Sequence, residues 1–197
     1  MDLDTIKKAV TPVEAVVEVA VELPRFGWDN PKYDNLETPV REVMSAYQNA
    51  NKWLDSIKEH ILINLNCPYF SNIVHELAHT MPARFDEFGD ILHTEGLGIP
   101  YPTTMEWENP IGNISESIKR IYEILDQIRV SLRVFKLAAE SCDCLEMSIA
   151  CDPLLTDIHA EYMFFHRAES MLNSFGGNLA QWDKFIYEFY QDKDKLI

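Results

Sequence analysis

Metal-ligating side chains are concentrated in the stretch from Trp53 to Glu95. Four of the six histidines of the 197-residue chain lie there among many acids, and the set is His60, His75, His79, His93, Asp55, Glu59, Glu76, Asp86, Glu87 and Asp90. Imidazole and carboxylate ligands together suit iron, zinc or manganese better than calcium. The density of such residues predicts a transition-metal site.

Most of these ligands fall on one predicted amphipathic helix, from about Tyr69 to Thr94. Its apolar residues recur every three or four positions, which is typical of a buried helical face; they are Phe70, Ile73, Val74, Leu77, Met81, Phe85, Phe88 and Leu92. His75 and His79 are four residues apart, as are Asp86 and Asp90, so each pair projects from one side of the helix. A single helix therefore carries the pieces of a two-metal carboxylate site.

Four long helices and a short fifth are predicted by hydrophobic periodicity together with Pro, Gly and capping residues. Their approximate bounds are Thr38 to Asn64, Tyr69 to Thr94, Ile114 to Ala139, Asp152 to Gly176 and Leu179 to Phe189. Asn113 with Glu116 resembles a capping box at the start of the third helix. Pro82 predicts a kink in the second helix. Residues 141 to 151 fit either a continued helix or a bend.

The long connection from Gly96 to Gly112 suggests how these helices are ordered. Short joins make helices one and two antiparallel, and likewise three and four, whereas the long connection can run the length of a bundle. The second and third helices then point the same way, which predicts an all-α, ferritin-like four-helix bundle over residues 37 to 175. An N-terminal arm over residues 1 to 36 precedes it, with an extended segment from Thr11 to Leu23. A short helix and tail over residues 176 to 197 follow.

Charge and composition narrow the class of protein. The formal net charge is −15, from 32 acidic and 17 basic residues, and such a surface repels nucleic-acid phosphates and attracts cations. DNA binding is therefore not expected. The sequence shows neither a long apolar run nor a signal-peptide pattern, which predicts a cytoplasmic protein. The four cysteines, Cys67, Cys142, Cys144 and Cys151, are expected to be free or buried thiols.

The five residues from His75 to His79 permit a different interpretation. His75-Glu76-Leu77-Ala78-His79 matches the HExxH pattern of zinc metalloproteases, in which two histidines hold zinc and the glutamate activates water. The pattern is short, no third ligand is evident, and the only segments that could form strands are Val13 to Val21 and Ile61 to Leu65. A zinc protease is therefore the alternative hypothesis.

A longer stretch resembles the Dps-type miniferritins. The matching residues in the first two helices are His60, Asn66, Pro68, Phe70, His75-Glu76-Leu77, Asp86, Asp90 and Gly96-Leu97-Gly98. Those that resemble the last bundle helix of this family are Asp152-Pro153, Thr156, Asp157, Glu161, His166 and Met171-Leu172. The resemblance covers roughly residues 37 to 175, in pattern more than in identity.

The resemblance implies a function and a site. It implies a homo-oligomeric cage, a dodecamer in this family, that binds Fe(II), oxidises it with peroxide or oxygen at a di-iron ferroxidase site, stores ferric iron and limits oxidative damage. The metal would lie between two subunits, with His60 and His75 from one subunit and Asp86 and Asp90 from the other. His79 falls where the family tends to have a further carboxylate. Glu76 and Glu87 are additional candidate ligands, and zinc could also occupy the site.

Two further arrangements stay open within the same fold. A di-iron centre inside one subunit would use Glu76-x-x-His79 and Asp90-x-x-His93, completed by acidic residues from other helices, Asp55 with Glu123 or Asp126. Alternatively, the bundle has lost its metals and acts as an interaction module. Such a protein would bind no metal at the face that runs from His75 to Asp90.

Overall fold

The structure is a computed structural model that describes residues 27–100 and 112–191. These ranges contain six α-helices, which are α1 (Glu37–Ile63), α2 (Pro68–His93), α3 (Ile114–Ser141), α4 (Leu145–Ala150), α5 (Asp152–Ser174) and α6 (Leu179–Gln191). They contain no strand, and the prediction of an all-α protein is confirmed. None of the helices in these ranges is long and apolar enough to cross a membrane.

The predicted helix ends agree with the structure to within a few residues. At the start of α3, the Asn113 side chain accepts a hydrogen bond from the Glu116 backbone N–H at 3.1 Å. The Glu116 carboxylate in turn accepts one from the Asn113 N–H at 3.2 Å. This reciprocal pair is the predicted capping box, and it satisfies two amides that would otherwise have no partner. α2 remains helical through Pro82.

Residues 141 to 151, where the sequence permits two conformations, form a turn and a short helix. Asp143 has a φ of 57°, in the left-handed region, and it ends the run of α3. α4 then folds back beside α3, and the Ser148 hydroxyl donates to the Glu140 carboxylate at 2.8 Å. The predicted extended segment from Thr11 to Leu23, most of the central connection and the end of the C-terminal tail lie outside the described residues.

The long helices form a bundle whose directions follow from contacts at their ends. α1 packs against α2 and α3, and α3 packs against α5. The end of α1 meets the start of α3, where His60 Nε2 lies 3.0 Å from the Gly112 carbonyl, so α1 and α3 are antiparallel. Ser115 at the start of α3 donates to Glu169 near the end of α5 at 3.1 Å. α3 and α5 are therefore antiparallel too, and α2 and α3 run in the same direction.

Large aromatic side chains fill the space between the helices. Phe88 of α2 and Phe135 of α3 are fully buried and meet edge to face, with ring centroids 4.8 Å apart. Trp182 of α6 is fully buried against Phe70 of α2, at 4.9 Å between centroids. Its indole N–H donates to the Ala168 carbonyl of α5 at 3.3 Å. One side chain of α6 thus joins three helices.

A buried carboxylate from α6 caps the first turn of α2. Asp183 is 3% exposed and accepts hydrogen bonds from the backbone N–H groups of Phe70 at 2.7 Å and Tyr69 at 3.2 Å. Cys67, the residue before the helix, offers no side-chain cap. Burial raises the pKa of Asp183, while the two N–H donors act in the opposite direction. The first-turn amides of α2 therefore depend on a residue more than 100 positions away.

Asp183→Ala is expected to lower the free energy of unfolding by about 1–3 kcal/mol, because two buried amides lose their acceptor. Asp183→Asn keeps an oxygen acceptor and removes a charge that burial disfavours, so its loss should be smaller. Urea denaturation of both variants measures the difference. Equal stability of the wild type and Asp183→Ala would show that the cap contributes nothing.

Candidate metal-binding surface on the second helix

Five of the candidate ligands share one outward strip of α2, and one of them, His93, lies at the end of the helix. At about 100° per residue, His75, His79, Asp86 and Asp90 fall within about 60° of one another around the helix axis. His79, Asp86 and Asp90 are exposed and His75 is half-buried. We call His75, His79, Asp86 and Asp90 the α2 stripe. The spacing seen in the sequence therefore brings them to one surface.

The two histidines of the stripe are in direct contact. Their ring centroids are 4.3 Å apart, with an interplanar angle of 88°. His75 Nδ1 is buried and has no hydrogen-bond partner among the described residues. Such an unsatisfied polar atom is uncommon in a folded protein and calls for an explanation such as a bound ion or water. Two adjacent imidazoles supply two ligands for a metal ion such as iron or zinc.

The two aspartates of the stripe lie further along the same helix. Asp90 Oδ1 is 3.6 Å from His93 Nδ1, on the last turn of α2. Asp86 lies at a cavity of about 210 Å³ between α1 and α2, which Tyr47 and Gln48 also line. Seven residues separate His79 from Asp86, which is roughly 10 Å along a helix. The aspartates therefore cannot join the histidines around one ion within a single helix.

The remaining predicted ligands lie apart from the stripe. Both ring nitrogens of His60 are engaged, one 3.0 Å from the Gly112 carbonyl and the other 3.0 Å from the Asn64 side-chain nitrogen. His60 therefore connects α1 to the start of α3. Glu76 accepts a hydrogen bond from Asn72 at 3.0 Å. Glu76 and Glu87 are exposed and turned away from the centre of the stripe by roughly 70° and 90°.

Two charged side chains from different helices face each other inside the bundle. Arg84 of α2 lies 4.0 Å from Glu161 of α5, and their side chains are only 11% and 9% exposed. Burial also raises the pKa of the neighbouring Tyr47 hydroxyl, although the positive charge of Arg84 lowers it. Arg84 and Glu161 are far apart in sequence. The apolar periodicity within each helix therefore does not predict that these two side chains meet.

The residues proposed for a di-iron centre inside one subunit do not enter this interior. All but one of them are exposed at the bundle surface, and these are Glu76, His79, Asp90, His93, Asp55 and Glu123. Asp126 is half-buried and is paired with Arg129. The buried positions are instead mostly apolar, and the carboxylates among them are Glu161, which faces Arg84, and Asp183, which caps α2.

The comparisons with known proteins place the chain in no family. No protein-family model matches it, and no curated protein matches it significantly. Within residues 27–100 and 112–191, no three His, Cys, Asp or Glu side chains are close enough to hold one metal ion.

All four cysteines are free thiols, as predicted, and burial raises the pKa of Cys67 to about 11 and of Cys151 to about 12. These two thiols stay protonated at neutral pH and are poor metal ligands.

Of the two segments that could supply a strand to a zinc protease, Ile61 to Leu65 forms the end of α1 and the turn after it. The other, Val13 to Val21, lies outside the described residues.

Proposed function

We propose that this protein is a ferritin-like, homo-oligomeric iron-oxidising protein that binds Fe(II) between two copies of α2. The observation that carries the proposal is the symmetry of the α2 stripe. The interval from His75 to His79 equals that from Asp86 to Asp90. The four residues are therefore placed symmetrically about the Pro82–Ala83 bond. His75 lies as far before this bond as Asp90 lies after it, and the same holds for His79 and Asp86.

This symmetry has a direct geometric meaning for a pair of chains. If two copies of α2 cross antiparallel about a two-fold axis near Ala83, His75 of one copy faces Asp90 of the other. His79 likewise faces Asp86. In a two-fold interface the same contact occurs twice, so two equivalent sites form, each with two imidazoles and two carboxylates. Pro82 and Ala83 are small or compact exposed residues at the crossing point, and they permit close approach of the helices.

The bundle supports a ferritin-like arrangement. Two antiparallel helix pairs are joined so that α2 and α3 run in the same direction, which is the connectivity of ferritin-like bundles with one long crossover. The resemblance of residues 37 to 175 to the Dps-type miniferritins is consistent with that order. Because α2 is an outer helix on the side of the stripe, its ligands are available to another subunit.

The ligand set suits the oxidation of iron. Neutral imidazoles fix one side of each Fe(II), and carboxylates from the second copy balance the higher charge of Fe(III). Two Fe(II) ions give one electron each to a peroxide molecule, which with two protons becomes two water molecules. The net charge of −15 favours the arrival of Fe(II) at the protein surface. Fe(II) and peroxide or oxygen are therefore the proposed substrates.

An anaerobic Fe(II) titration of His75→Ala/His79→Ala tests the site. We expect Fe(II) affinity to fall at least tenfold and peroxide-driven oxidation to slow accordingly, because each site loses both imidazoles. The matched control is His159→Ala/His166→Ala, which removes two exposed histidines from α5 and should bind as the wild type does. Equal Fe(II) binding by the two double variants would contradict the proposal.

Two other outcomes of the same experiment point to the rival functions. A wild-type protein that binds neither Fe(II) nor zinc would be a metal-free interaction module. A wild-type monomer that holds one zinc and cleaves peptides would be a protease that uses His75, Glu76 and His79. Sedimentation of the same samples separates a monomer from an oligomer.

A further inference from the structure

An apolar ridge lies on the outside of α3. It consists of Val130, Val134 and Leu137, which are 49%, 41% and 66% exposed. Their spacing of four and three residues places them on one side of the helix, opposite its buried face. Contiguous exposed apolar side chains are a common feature of surfaces that bind other proteins. We call these three residues the α3 ridge.

An open groove runs beside the ridge, between α1 and α3. It has a volume of about 480 Å³, with Ser45 and Ala46 on its α1 wall and Gln127 and Ser131 on its α3 wall. Ser45, Ala46 and Ser131 have short side chains, which leave space between the longer Arg41, Glu42 and Gln127 for the side chains of another helix, as in ridge-into-groove packing. Ser131 of the groove directly follows Val130 of the ridge in sequence, and Gln127 lies one helical turn before it.

Ridge and groove lie at the same height of the bundle. Because α1 and α3 are antiparallel, Arg120 of α3 lies over the ring of Trp53 of α1, 5.2 Å from its centroid. From that contact, the ridge lies further toward the C-terminal end of α3, and the antiparallel α1 runs back toward its N-terminal end. The ridge is therefore level with the first turns of α1, where the groove begins at Thr38. A second copy turned by 180° can therefore insert its ridge into this groove while it receives the ridge of the first.

The charges at this face favour a second copy as the occupant. Arg133 is exposed beside the α3 ridge, and Glu42 is exposed on the wall of the groove. Neither forms an ion pair within the part of the chain that the structure describes. In the two-fold pairing, Arg133 of one copy lies next to the α1 wall of the other copy's groove, which carries Glu42. Such complementary charges select the partner and fix the register, in a chain whose net charge otherwise opposes self-association.

We propose that the α1–α3 face is a self-association surface, in which the α3 ridge of each copy enters the groove of the other. This interface does not involve the α2 stripe. The inference that one chain uses both this interface and the α2 pairing rests on the proposed function. Two different two-fold interfaces on one chain produce an assembly larger than a dimer.

The test is the mass of the full-length chain in solution, measured by sedimentation equilibrium for Val134→Glu, Ala83→Arg and their combination. Val134 and Ala83 are exposed, so both variants should fold, and thermal denaturation checks this. We expect the wild type to contain at least four copies. Val134→Glu should leave dimers that still bind Fe(II), Ala83→Arg should leave dimers that do not, and the combination should leave monomers.

A charge exchange keeps the proposal testable if Val134→Glu disturbs folding. Arg133→Glu should shift the assembly toward smaller species, and Arg133→Glu/Glu42→Arg should restore the wild-type mass. A mass that neither Val134→Glu nor Arg133→Glu changes would overturn the α3 interface. If Ala83→Arg alone leaves the mass and Fe(II) binding unchanged while Val134→Glu yields smaller species, the α3 interface stands and the α2 pairing fails.

Discussion

Mixing two variants that each bind Fe(II) weakly is expected to restore tight binding. His75→Ala/His79→Ala keeps both stripe aspartates, and Asp86→Asn/Asp90→Asn keeps both histidines. A dimer with one copy of each variant contains one site with every ligand and one site with none. In an equal mixture that is unfolded and refolded together, half of the dimers are mixed and half of their sites are intact. About one quarter of the wild-type sites should therefore return.

The complementary mixture gives a second quantitative check. A quadruple variant that lacks both histidines and both aspartates is refolded with an equal amount of wild type. If each site needs two copies, mixed dimers have no intact site, and only about one quarter of the sites remain. If each site lies within one chain, about half remain. Fe(II) binding counted per chain distinguishes the two fractions, and no recovery in the first mixture would exclude a shared site.

Trp182→Ala is expected to lower the free energy of unfolding by about 3–5 kcal/mol, the range typical of large aromatic residues truncated in a core. Trp182 is fully buried, contacts the Phe70 ring and donates a hydrogen bond to the Ala168 carbonyl. Its removal leaves a cavity between α2, α5 and α6 and takes away the donor. A loss of this size is a large part of the stability of a typical domain.

Two control variants test whether the loss of stability in Trp182→Ala comes from the buried volume at this position. Trp182→Phe retains most of the volume and should lose much less stability than Trp182→Ala. Phe185→Ala removes an aromatic ring from the same helix at a position that is 40% exposed, and a change within about 1 kcal/mol is expected. Urea denaturation measures all three variants. Similar losses for Trp182→Ala and Phe185→Ala would show that α6 is not anchored through the tryptophan.

The helices were predictable because their signals are local. The apolar period, the capping box at Asn113 and the glycines after α2 and α5 all act within a few residues of the backbone that they determine. The anchoring of α6 was not predictable in the same way. Asp183 and the Arg84–Glu161 pair depend on which segments meet in space, and a charged residue on an amphipathic helix usually faces solvent.

The candidate site was predictable in part for the same reason. Helical geometry alone places His75, His79, Asp86 and Asp90 on one strip, because all four belong to α2. His60 lies on another helix, and its direction is set by the packing of α1 against α3, which periodicity does not specify. Glu87 illustrates a further limit. It is adjacent to Asp86 in sequence, yet one residue of rotation turns it to a different side of the helix.

The order in which the helices pair has a consequence for the rate at which the chain folds. Contacts within the α1–α2 pair join nearby residues, such as Ser71 and Lys58, which are 13 positions apart. Contacts between α1 and α3 join distant residues, such as His60 and Gly112, which are 52 positions apart. Closing the longer loop costs more chain entropy and is slower. We therefore expect two helical hairpins to form early and their docking to be the slow step.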